Sequence, residues 1–239
     1  MLHKKILIIT IFIISIICGT FYAFITFGEK ASSLFNFSEK QLTYEAGKNN
    51  VSVFDTTAKK EVTSIDLSAK EENITIELSP HDIQTTPNKQ YVWVTASASQ
   101  DQLSALHKNA KEHTHLMMTS DQVIVIDPNT NKIKERIQMG NNIRLSDIVL
   151  TSDDKYAYIT AEAGNAIYKI NTQSYKVDMI QLPPESSPHA IALSEDATKL
   201  YTKDSTNNFI YTIATKNNKV ISKTPVKETS TVPISWSNH

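Results

Sequence analysis

The chain has 239 residues, enough for one domain of ordinary size with a short extra element. Its 24 basic and 25 acidic side chains nearly cancel, which excludes the strong positive field of a nucleic-acid binder. A single cysteine excludes an intramolecular disulfide, and only 5 glycines exclude collagen-like or Gly/Ser-linker character.

The first predicted element is apolar. After Lys4 and Lys5, residues 6–27 ("ILIITIFIISIICGTFYAFITF") carry no charge. A helix of that length spans a hydrocarbon core of about 30 Å. Residues 1–28 are therefore expected to form an uncleaved N-terminal membrane anchor. The flanking lysines place the N-terminus in the cytoplasm and the following domain in the periplasm or outside the cell. A cleaved signal peptide is the main alternative, although no A-x-A site follows the run; a lipoprotein modified at Cys18 is the other. Residues 29–41 read as a linker and 42–239 as the exported domain.

That domain repeats. "SPHDIQTTPNKQYVWVT" (79–95), "RLSDIVLTSDDKYAYIT" (144–160) and "SPHAIALSEDATKLYTK" (187–203) align over their whole length. Each predicts a strand with Ile83, Ile148 or Ile191 at the fifth position, then a polar turn. A second strand follows with Trp93, Tyr158 or Tyr201 at the fifteenth. A strand–turn–strand half-repeat comes next at 121–139, 165–183 and 208–226, and another copy stands at 49–67. Asp55, Asp127 and Asn171 occupy the start of its turn, where Asx side chains bond backbone amides; Ala214 lacks that capacity.

Four strands per unit at a stride near 43 residues predict a β-propeller. The runs "YVWVT", "YAYIT", "VSVFDTTAKKEV", "VIVIDPNTNKI" and the two "SPH" triplets resemble the YVTN-type β-propeller repeat family over most of residues 42–226. The usual turn glycine is absent at Asn88–Lys89, Asp154–Lys155 and Ala197–Thr198. Residues 42–66 supply three strands of a first blade. Ile234, 43 residues after Ile191, is in phase to supply its innermost strand. The expected architecture is thus all-β: four blades closed by pairing of N- and C-terminal strands, preceded by one transmembrane helix. An open arc, or two chains completing a larger ring, is the alternative.

The second unit carries an insert at 97–121, in which Asp101 can cap a short helix with Leu103, Leu106 and Ala110 on one side. Strand direction puts this insert on the same face as the "SPH" triplets. His81, Asp82, Asp147 and His189 are the candidate ligand-face residues. His107, His113, His115, Met117 and Met118 are candidate metal ligands, since copper and haem iron accept imidazole and thioether donors. For each of these, a turn, a solvated surface or a structural role is the competing reading. No G-x-S-x-G, Walker or G-x-G-x-x-G motif is present. The expected function is therefore binding or scaffolding toward an envelope protein, polymer or small ligand, without a cofactor. A metal- or haem-binding redox or delivery protein is one alternative, with copper or haem on the insert's side chains, or zinc, which needs further ligands that His81 and His189 can supply. A metal-dependent, lactonase-like hydrolase is the other, with Asp82 and Asp147 placed at the channel mouth as the resemblance implies.

Overall fold

The computed structural model describes residues 41–71, 74–99, 101–104 and 120–226. They form 17 strands in antiparallel sheets. The first sheet has three strands, β1 (Leu42–Ala46), β2 (Asn50–Asp55) and β3 (Lys60–Asp66). A small hairpin, β4 (Ala69–Glu71) and β5 (Ile74–Ile76), follows, where the repeat pattern predicts no element. The second sheet is β6 (Leu78–Thr85), β7 (Val92–Ala98), β8 (Asp121–Asp127) and β9 (Lys132–Gly140). The third is β10 (Leu145–Leu150), β11 (Tyr156–Ala161), β12 (Ala166–Asn171) and β13 (Val177–Gln181). The fourth is β14 (Pro188–Leu193), β15 (Lys199–Asp204), β16 (Phe209–Ala214) and β17 (Lys219–Pro225). In each sheet the strands pair in chain order.

Period-2 alternation decides which neighbour each side chain meets. On β7 and β8, Val92, Val94, Ala96, Ile124 and Ile126 pack toward Val51, Val53 and Ile65 of the first sheet. The intervening Trp93, Val123 and Val125 pack toward Ile148, Ala157 and Ile159 of the third. Tyr158 and Ile167 of the third sheet meet Ile191, Leu200, Tyr211 and Ile213 of the fourth. Each middle sheet is thus apolar on both faces, and each core lies between two sheets.

The turns explain how the repeats do without glycine. Backbone φ is positive at Lys89, Asp154 and Ala197, the eleventh position of every long repeat. In the half-repeats it is positive at Lys59, Asn131, Tyr175 and Asn218, four residues after the Asx position. Asp55 Oδ1 accepts from the amides of Thr57 and Ala58, Asp127 Oδ1 from Asn129, and Asn171 Oδ1 from Gln173 and Ser174, as expected.

Strand β1 stands where a second strand stands elsewhere. It contacts β6 as β7 contacts β10 and β11 contacts β14, while β6, β10 and β14 adjoin in series. The innermost place of the first sheet has no occupant among the described residues. Residues 227–239, which carry Ile234, lie outside those residues, as does the apolar segment 6–27. Among the described residues no helix is long and apolar enough to cross a membrane.

Candidate functional site

Strands β6, β10 and β14 each bulge at the end where they begin. The register shifts between Pro80 and Asp82, between Leu145 and Ile148, and between Pro188 and Ile191. A bulge leaves residues unpaired and re-aims their side chains. The residues released are His81; Ser146 and Asp147; and His189 and Ala190. Ser146 occupies the repeat position that is histidine in the other two copies.

The two histidines meet. The rings of His81 and His189 stand 5.6 Å apart between centroids at 78°, although their strands flank β10. His189 Nδ1 lies 2.8 Å from Ser146 Oγ and contacts the Glu162 carboxylate. A carboxylate only accepts, so Nδ1 carries the hydrogen of that contact, and a ring without a second proton has its lone pair on Nε2. Ser146 in turn donates to Asp147 Oδ1 at 3.3 Å. Glu162 also receives Arg144 at 2.8 Å. Backbone pairing sets these two opposite each other, because the Glu162 amide donates to the Arg144 carbonyl. His81 Nδ1 faces Asp147 Oδ1 at 3.9 Å.

Exposure divides the cluster into two layers. The side chains of His81 and His189 are 46% and 42% exposed, and those of Asp147 and Glu162 only 8% and 11%. Solvent therefore meets imidazoles, with carboxylates beneath. Asp82 is buried and its oxygens are engaged: Oδ2 accepts from the Ile148 amide at 2.9 Å and Oδ1 from its own neighbour Ile83. It ties the second sheet to the third rather than facing the solvent.

Threonines lock the bulges. Thr95 Oγ1 accepts from the Asp82 amide, an N–H the bulge takes out of the ladder, and donates to the Ser146 carbonyl of the next sheet at 2.7 Å. Thr160 does the same, accepting from the Asp147 amide and donating to the His189 carbonyl at 2.6 Å. One hydroxyl thus satisfies a bulge and clasps two sheets.

The insert rises from the same end. Leu78 pairs with Ala98, and the Ala98 amide reaches the Ser120 carbonyl, so the base of the insert lies beside the start of β6. Ser99, not Asp101, caps the helical residues 101–104: its Oγ accepts from the Gln102 amide and its carbonyl from the Leu103 amide. His107, His113, His115, Met117 and Met118 lie outside the described residues, as do Leu106 and Ala110. Among the described residues no group of three or more His, Cys, Asp and Glu forms a metal site.

Sequence reasoning brought His81, Asp82, Asp147 and His189 to this end and missed Glu162, Arg144 and Ser146. Ser146 was legible in principle, because it shares the histidine position. Glu162 was not: its repeat equivalents are Ser97 and Ser205.

No family model matches the chain, and no curated protein sequence matches it. Solved structures do. Hydrazine synthase of Kuenenia stuttgartiensis superposes with a TM-score of 0.58 at 15% identity, over 77% of this chain and 59% of that one. Virginiamycin B lyase of Staphylococcus aureus gives 0.54 at 20%, over 75% and 49%. A streptogramin B lyase gives 0.56 at 18%, over 79% and 52%. The chain thus spans about half of each lyase and somewhat more of the synthase. Likeness at this identity speaks of fold alone, and it supports a β-propeller.

Proposed function

We propose that the chain is a membrane-tethered β-propeller of the YVTN type that binds a ligand or partner protein of the cell envelope at its histidine-bearing end. The observation that carries this reading is the meeting of His81 and His189. Two half-exposed imidazoles from separate sheets, backed by buried carboxylates, make a fixed polar centre on the end from which the insert emerges. Rigid sheets hold such a centre while loops around it supply selectivity.

Four blades close when the segment around Ile234 pairs with β1, in the innermost place that no described residue fills. Residues 6–27 anchor the chain and leave the propeller in the periplasm or outside the cell.

The test is affinity capture from solubilised envelopes by the full-length chain. A variant with His81→Ala and His189→Ala and another lacking 97–121 are compared with it. The expected result is a ligand kept by the unaltered chain and lost by at least one variant of unchanged melting temperature. Identical capture by all three counts against the reading.

Acid–base catalysis is a second reading, favoured by one observation. Glu162 holds the His189 imidazole as an enzyme orients its base. A screen of lactone hydrolysis and virginiamycin B breakdown, with and without chelator, addresses it. Turnover that disappears in His189→Ala would establish it, and a flat screen removes it.

A further inference from the structure

We infer that His81 and His189 are the protein ligands of one divalent transition-metal ion of the zinc or copper(II) class. The inference rests on the binding reading above and gives its site a chemistry.

Three observations carry it. The first is spacing. With metal–nitrogen bonds of about 2.1 Å at a tetrahedral angle, two imidazoles place their centroids roughly 5–5.5 Å apart. The rings stand at 5.6 Å, close to that separation. The second is orientation. His189 donates Nδ1–H to Glu162, and His81 turns Nδ1 toward Asp147. This leaves Nε2 of each ring without a partner among the described residues. Metal-binding histidines are held in this way, one nitrogen on a carboxylate and the other on the ion.

The third is charge. The groups facing the imidazoles are Ser146 and Asp147 on β10 and Glu162, with its partner Arg144, at the joined ends of β10 and β11. Arg144 pairs with Glu162, and the Asp147 carboxylate lies beneath His81. Carboxylates beneath the imidazoles favour a cation above them. Because the carboxylates are buried and the imidazoles are not, the ion sits on nitrogen and keeps open positions. Those positions accept water or a donor atom from the bound partner.

The experiment uses the full-length chain carrying His107→Ala, His113→Ala and His115→Ala, so that the insert contributes no imidazole. Zn(II) alone is titrated by calorimetry at pH 7.5 and at pH 5.5. One equivalent is expected at the higher pH, and weaker binding at the lower, where protons compete for the same lone pairs. Adding His81→Ala or His189→Ala should abolish that equivalent, and Glu162→Gln should weaken it by about 10- to 100-fold. Thermal melts check that each variant folds. Absence of the equivalent, or its survival in both alanine variants, overturns the inference. Capture from envelopes that needs the histidines but ignores chelator overturns the metal and leaves the binding reading. One zinc bound with nothing captured overturns the binding reading and leaves the metal.

Discussion

The third and fourth sheets are built from one repeat and differ in what covers them. In the third, Tyr158 and Thr160 are buried against the fourth sheet; in the second, Trp93 and Thr95 are buried against the third. At the same positions the fourth sheet has Tyr201, half-buried, and Lys203, exposed. It also has Ala190 where the others have Asp82 and Asp147. The ladders themselves are alike, with the same strand order and a bulge at the same place. Strand formation is therefore local to each repeat, whereas burial and the clasp depend on a neighbour. The outward face of the first sheet agrees: Thr43 and Glu45 are exposed and Ser52 and Phe54 only half-buried. Polar terminal faces keep a stack of sheets soluble. If the propeller closes, its last seam is wetter than the other three.

The largest effect should come from the tail. Deleting residues 230–239 removes the segment proposed to sit innermost in the first blade. Two buried apolar side chains alone represent about 3 kcal/mol or more. An unchanged melting temperature would show that the terminal faces are true ends. Next comes the clasp. Thr160→Val leaves the Asp147 amide and the His189 carbonyl without their hydroxyl and should destabilise by about 1–3 kcal/mol in urea unfolding. Lys203→Val at the equivalent place should change stability by about 0.5 kcal/mol or less. Equal losses would dissolve the contrast between the two sheets.

Smaller still is Ala197→Gly. Its φ of 54° is unfavourable for alanine, so glycine should stabilise the fourth sheet by about 0.5–1 kcal/mol, read as a higher urea midpoint. The smallest effect concerns acid. Hydrogen bonds from Thr151 and Lys155 hold Asp153 down to about 2, and those from Ser194 and Thr198 do the same for Asp196. A carboxyl whose folded value lies below its ordinary 3.8 adds stability that is fully present above 3.8. That stability is lost as pH falls toward 2. Both turns are solvent-exposed, so the contribution is small. Asp153→Asn and Asp196→Asn, which copy Asn88 of the second sheet, should flatten this part of the acid-unfolding curve.

Much of this was legible in the residues. Alternation and turn chemistry located the paired strands, and the "SPH" triplets brought His81 and His189 to one end. The bulges were not legible, because a bulge is a mismatch between two strands and neither strand records it alone. The β4–β5 hairpin escaped because strands of three residues are too short to show a period. The helix cap was misassigned because Ser99 and Asp101 are both good capping residues, and only the hydrogen bond from the Gln102 amide to Ser99 separates them. Glu162 escaped because it is peculiar to one copy.

That peculiarity bears on how such a chain can arise. A serine between two histidines lets the rings approach; a third imidazole at position 146 would crowd them and remove the hydroxyl that His189 now meets. Perfect tandem duplication could not have produced this arrangement, and recombination that made the copies identical again would erase it.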